Sequence, residues 1–239
     1  MVELKCILSK RRIEKFKENV RREYDQDSII KAAFSWRYAT PSDTIPLVQI
    51  GARFLAEPNI FIDSYSAGGV YTVPEMVNLG RSIALGEQKY LIEMLQRGIQ
   101  KVSEQQSFTF EVISRAVEDV GPGFKPNAAF IPLDFFVPLH TSKEAEGRIL
   151  YEGHDCFLHL GSFKLRVFWS SNYVPFGSLI FVDKELGEWI VKLDPKDKHW
   201  VTINIESANE KVEVEAKTVA RYLILEPKAG LILKVPPPE

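Results

Sequence analysis

IALGEQKYLIEMLQRGIQKV, residues 83–102, carries the longest helical pattern in the chain, and the elements after it decide the fold class. Ile83, Leu91, Leu95, Ile99 and Val102 recur at helical spacings, with Glu87, Gln88, Lys89, Glu93, Gln96 and Lys101 between them as the charged or amide positions. Upstream, Thr72-Val-Pro-Glu75 has the form of a capping box: a hydroxyl for the first free backbone amides, an early proline, and a glutamate three residues on. The pattern predicts a helix starting there and continuing to Val102, with breaks allowed at Gly80 and Gly86. A shorter helix comes next, with Thr109 as its cap, Val112, Ile113, Ala116, Val117 and Val120 as its apolar face, and Gly121-Pro122 as its stop. After Asn127 the pattern changes to strands: Ala128–Ile131, Cys156–Leu160, Phe163–Trp169, Leu179–Val182, Trp189–Leu193, Val201–Ile205, Val212–Val214, Val219–Leu225 and Leu231–Val235, with one short helix at Leu133–Leu139. Helices first and strands afterwards is the order of an α+β domain; a doubly wound nucleotide-binding sheet would alternate from the start.

Outward from that core, Ser9–Tyr24 reads as a helix with a narrow apolar stripe of Ile13, Phe16, Val20 and Tyr24 among charged residues. So thin a stripe suits either a surface helix of its own domain or an arm that docks on a neighbouring subunit. Between Tyr38 and Tyr71, Pro41, Pro46, Gly51, Pro58, Gly68 and Gly69 interrupt short extended pieces such as Leu47–Ile50 and Ile60–Ile62, which points to a projecting loop or hairpin.

Composition bounds the function. The 239 residues are 45% apolar and 26% charged, enough for a buried core and inconsistent with a disordered or collagen-like chain. A net charge of -2 gives no global pull toward nucleic acid, so an electrostatic partner would have to meet a local patch. One candidate is Lys10, Arg11, Arg12, Lys15, Lys17, Arg21 and Arg22, diluted by Glu14, Glu18 and Glu23, some of them at intrahelical pairing distance. No apolar run reaches the roughly 18 residues of a membrane span, and no fixed-period repeat suggests a solenoid or propeller. The expectation is an intracellular protein, with Cys6 and Cys156 reduced.

Catalytic motifs are missing. Gly68-Gly69 and Gly121-Pro-Gly123 lack the lysine, hydroxyl and helix start of a phosphate loop, and there is no nucleophile elbow. The best chemical lead is His154-Asp-Cys-Phe-Leu-His159, since imidazole and thiolate bind zinc or iron. On an extended strand, however, His154 and Cys156 point to one face and His159 to the other, so the three converge only through a bulge or turn. A strand entry with a buried free cysteine is the simpler account. His140 and His199 sit beside loop segments and are expected as surface residues rather than general bases; nothing in the sequence shows a carboxylate partner for either.

The order of elements resembles the capsid fold of tailed bacteriophages, the Hong Kong ninety-seven type, which encapsulins share. Ile45-Pro-Leu-Val-Gln-Ile50 through Phe54, then Glu75–Leu79 and Ile83-Ala-Leu-Gly-Glu87, are similar to the encapsulin stretch where an extended loop returns into the spine helix. Phe108–Val120 with Asn127-Ala-Ala-Phe-Ile131 resembles the second helix and the strand entering the apical domain. Gly147-Arg148, Phe163–Trp169, Pro175-Phe-Gly-Ser-Leu-Ile-Phe-Val182, Arg221–Leu225 and Ala229-Gly-Leu-Ile-Leu233 are similar to later strands. The resemblance implies an arm at 1–37, an extended loop at 38–72, and a peripheral domain with the spine helix at 73–126. An apical domain at 127–199, a return to the peripheral domain at 200–220 and terminal strands at 221–239 would complete it. It further implies a structural, non-enzymatic protein without cofactor, partnered with itself in a closed shell, with cargo protein or DNA inside, in a cytoplasmic particle or virion. Two departures are a short, proline-rich extended loop and no assignable lysine and asparagine for a covalent cross-link. The alternatives are a metal-dependent β-barrel enzyme using His154, Cys156 and His159, or a degenerate relative that no longer assembles.

Overall fold

The computed structural model describes residues 10–29, 34–44, 46–56, 79–153, 155–169, 173–195, 198–208 and 211–236. The capping box, Cys6, His154 and the final prolines 237 and 238 lie outside the described residues. In chain order the elements are α1 (Lys10–Asp27), β1 (Ser35–Tyr38), β2 (Val48–Ala56), α2 (Leu79–Gly98), β3 (Lys101–Glu104), α3 (Phe110–Glu118), β4 (Ala128–Ile131), α4 (Phe136–Thr141), β5 (Ile149–Glu152), β6 (Asp155–Leu160), β7 (Phe163–Trp169), β8 (Ser178–Val182), β9 (Gly187–Val191), β10 (Val201–Ala208), β11 (Lys211–Ile224) and β12 (Gly230–Lys234). Helices dominate the first half and strands the second, as the α+β expectation requires. The chain forms two compact units, one of residues 1–29, 37–88 and 190–221, the other of residues 30–36, 89–189 and 222–239.

In the first unit β11 is the shared strand. β10 pairs with it antiparallel from Val201 opposite Thr218 to Ala208 opposite Lys211, and β2 from Val48 opposite Ala220 to Ala56 opposite Val212. The expected break between Val212–Val214 and Val219–Leu225 does not occur. Alternation continues through Ala216 and Thr218, both fully buried, so small and hydroxyl residues carry the inward face where a strand pattern ordinarily shows large apolar ones.

α1 packs within this unit. Phe16, Val20 and Tyr24 are buried against Leu79, Ile83, Ala84, Val201, Ile203, Val214 and Ala216. A narrow stripe suffices because α2 comes unusually close: a Cβ on Gly80 would collide with the Val20 carbonyl oxygen and lie 2.7 Å from the Tyr24 nitrogen.

The second unit holds a seven-stranded sheet in the order β3-β12-β8-β4-β7-β6-β5, parallel at β3/β12 and β4/β7 and antiparallel elsewhere. α3 and the Phe135–Leu139 turn supply Phe110, Ile113, Val117, Phe135 and Leu139 to a core that includes Ala129, Leu158, Leu165, Phe181 and Leu231 from the sheet. The helical pattern expected to reach Val102 stops at Gly98. Lys101–Glu104 instead runs parallel to β12. Ile99 and Val102 keep a helical interval by coincidence, Ile99 being buried and Val102 about half exposed.

α3 begins as expected. Thr109 is extended and its hydroxyl accepts the Val112 N–H at 3.2 Å, satisfying one of the free amides of the first turn. Thr109→Ala is expected to cost about 1 kcal/mol, read as a lower denaturant midpoint at unchanged slope.

Candidate functional site

Among the described residues, two polar clusters and one exposed apolar patch stand out as places where chemistry or contact can occur. The first cluster belongs to the first unit and centres on Glu87, which is completely buried. Its sequence signal was available: Glu87 stands four residues from both Ile83 and Leu91, on the apolar stripe of α2 rather than its solvent face. Tyr24 Oη donates to Glu87 Oε1 at 2.7 Å, and Ser28 Oγ to Oε2 at 3.2 Å. The buried Thr218 hydroxyl of β11 faces the same carboxyl yet has no hydrogen bond of ordinary geometry. Burial pushes the Glu87 carboxyl up to about 8, against the hydroxyl donors, which lower it. Burial, and then the nearby Glu87, likewise raises the Tyr24 phenol. Near the start of α2, the Gly80 N–H donates to Glu23, whose half-buried carboxyl still rises to about 6 because desolvation outweighs that bond.

The second cluster belongs to the second unit. His140 Nδ1 bonds the Phe136 carbonyl at 2.7 Å and Nε2 bonds the Tyr151 hydroxyl at 2.7 Å, with the ring stacked on Phe136. This histidine is half-buried and structurally engaged, not a bare surface group as the sequence suggests. Tyr151 stands opposite Cys156 in the β5/β6 ladder, and burial raises the Cys156 thiol. The alternation of β6 is the one expected: Cys156, Leu158 and Leu160 face the core while His159 lies on the other face. Among the described residues no three of His, Cys, Asp and Glu converge as metal ligands. His199 does have a carboxylate neighbour, Asp25 at 3.8 Å, and its Nδ1 accepts the Val201 N–H.

In the basic N-terminal segment, Lys17 lies 3.7 Å from Glu14, an intrahelical pair of the kind that neutralises such a face. The exposed apolar residues of the second unit include Leu133 and Val137 in and beside α4 and Leu150 and Tyr151 on the edge strand β5. His140 and Tyr151 join these two elements directly. Elsewhere, Phe176 projects at the turn before β8, beside an open cavity of about 510 Å³ bordered by Glu104, Gln105, Lys234 and Pro236. Among the described residues no helix is long and apolar enough to cross a membrane. Contact surface is thus better represented than catalytic machinery.

No family model matches the sequence, and a search of curated proteins finds no match. Solved structures are another matter. The virus-like particle of Pyrococcus furiosus aligns at a TM-score of 0.61 and 12% identity over 92% of this chain and 98% of that one. This is the phage-capsid and encapsulin fold. The holo-encapsulin complex of Synechococcus elongatus aligns at 0.60 and 11% identity, covering 86% of each chain. The capsid of an empty gene transfer agent particle aligns at 0.53 and 11% identity, over 87% of this chain and 83% of that one. The Hong Kong ninety-seven architecture inferred from element order is therefore the one adopted, at a level of identity where sequence alone keeps little beyond the apolar pattern.

Proposed function

We propose that this chain is a subunit of a self-assembling closed shell. The carrying observation is the near-complete, two-way coverage of a virus-like particle subunit, 92% of this chain and 98% of that one. A shared core alone would leave insertions on one side or the other. On this reading residues 38–72 form the extended loop that reaches a neighbouring subunit, 73–126 with 200–220 the peripheral domain, 127–199 the apical domain, and 221–239 the terminal strands. The exposed Leu133, Val137, Leu150 and Tyr151 fit the apolar part of a contact that must bury above ~1,000 Å² to be stable. Closed symmetry then limits the assembly to a finite particle, with cargo protein or DNA as its contents and a cytoplasmic particle or virion as its setting. The metal-enzyme reading gains no support, since Cys156 and His159 diverge on β6.

Size-exclusion chromatography with light scattering, followed by negative-stain microscopy, tests this directly. Megadalton particles of uniform diameter are the expected result. A stable monomer or dimer across salt and concentration would overturn it and identify the chain as a capsid-fold protein that does not assemble.

A further inference from the structure

The geometry around Glu87 points to a protonation-gated latch: we propose that the neutral carboxyl of Glu87 holds α1 on its unit, and that ionisation of that carboxyl releases α1. The latch lies within one unit of a single chain and stands whether or not the shell reading does.

Three observations converge. Glu87 has no exposed surface, and the groups that meet its carboxyl are hydroxyls: Tyr24 and Ser28 from the α1 side, Thr218 from β11. Tyr24 is the only titratable group among these three, and it is held in its neutral form. Among the described residues this carboxyl meets donors but no counter-charge, and desolvation penalises a buried carboxylate so placed strongly. The fully buried Thr218 hydroxyl adds a third neutral group beside this carboxyl and no positive charge. Finally, two of the three hydroxyls belong to α1 and the residue that follows it, so the carboxyl's protonation state bears on whether this helix stays docked.

The sign comes from linkage. An acid whose value is raised in the docked state, from 4.5 to about 8, stabilises docking fully below its ordinary range, and that stabilisation is lost as pH rises toward the raised value. Glu23, raised to about 6, acts in the same direction but over a lower range. Other charged groups bearing on α1 are Arg81, 3.6 Å from Asp27, and His199, 3.8 Å from Asp25.

Hydrogen exchange of the α1 amides, compared between about pH 6.5 and about pH 9 and corrected for the intrinsic rate, reads the latch above the range of Glu23. The full-length protein should lose roughly ten- to thirtyfold in α1 protection across that window, while the β4 and β8 amides stay constant. Glu87→Gln keeps the shape and cannot ionise, so its protection should change less than about threefold. An unchanged wild-type protection overturns the proposal. So does a Glu87→Gln protein that keeps the wild-type dependence. Should Glu87→Gln fail to fold, Tyr24→Phe serves. Removing a donor that favours the carboxylate should move the release to higher pH, and a release point that stays put or falls overturns the latch.

Discussion

Trp189→Ala is expected to destabilise the second unit by about 3–5 kcal/mol, since Trp189 is the largest fully buried side chain among the described residues. Trp189 is completely enclosed, with its ring 6.0 Å from Tyr90 and 5.3 Å from Tyr222. The indole N–H and the Tyr222 hydroxyl both lack hydrogen-bond partners, so the loss reports packing and cavity formation with little hydrogen-bond content. The surroundings cannot collapse easily into the space. Gly187, two residues earlier, already sits so close that a Cβ there would collide with the Leu223 carbonyl and meet the Tyr222 ring at 2.8 Å. Urea unfolding followed by circular dichroism measures the effect. A loss below about 1 kcal/mol would mean that the indole is not a core element. Trp189→Phe should recover a good part of the stability, since an aromatic ring refills much of the cavity.

The second large effect is expected at Gly80. Gly80→Val would place a branched side chain where even a Cβ lies within 2.8 Å of Val20, Glu23 and Tyr24, and two of those contacts are backbone atoms that cannot rotate away. We expect a cost of about 3 kcal/mol or more, expressed as separation of α1 from the start of α2. Limited proteolysis distinguishes this from general unfolding: early cleavage within α1, with the seven-stranded sheet still resistant, is the predicted pattern. Equal cleavage throughout both units would contradict it. Gly80→Ala should behave as a milder version of the same change.

How much of this was legible in the chain depends on the kind of signal. Long apolar periodicity serves well: α3 and strands β4, β6, β7 and β8 sit where their patterns place them, and α2 does so up to Gly98, because each buries a face that must be apolar. Short edge elements escape such a reading. Lys101–Glu104 and Ile149–Glu152 lie mostly exposed at the two ends of a sheet, so they carry no apolar alternation and are recruited by their partners' backbone hydrogen bonds. Glu87 was misplaced for a different reason. Residue type groups this carboxyl with the charged positions of the helix, although its place on the stripe between Ile83 and Leu91 puts it on the buried face. Tyr24 stood on its own stripe, but nothing in sequence ties residue 24 to residue 87, because that contact exists only once α1 lies on α2. The metal hypothesis was limited by period two from the outset, and β6 keeps that period.

The two ends of the seven-stranded sheet have a meaning for the life of the polypeptide before it reaches any final state. β3 and β5 are each four residues long, and each carries a charge tied to a strand further in, Glu104 to Lys234 on the adjacent β12 at 2.8 Å and Glu152 to Lys164 on β7, beyond β6, at 2.6 Å. Short, charged margins are poor templates for adding further strands. Fibre growth starts at open sheet margins, and both margins of this sheet are blunted. For a chain that must meet copies of itself, as the proposed shell requires, such margins favour contact through side-chain surfaces over strand addition at this sheet.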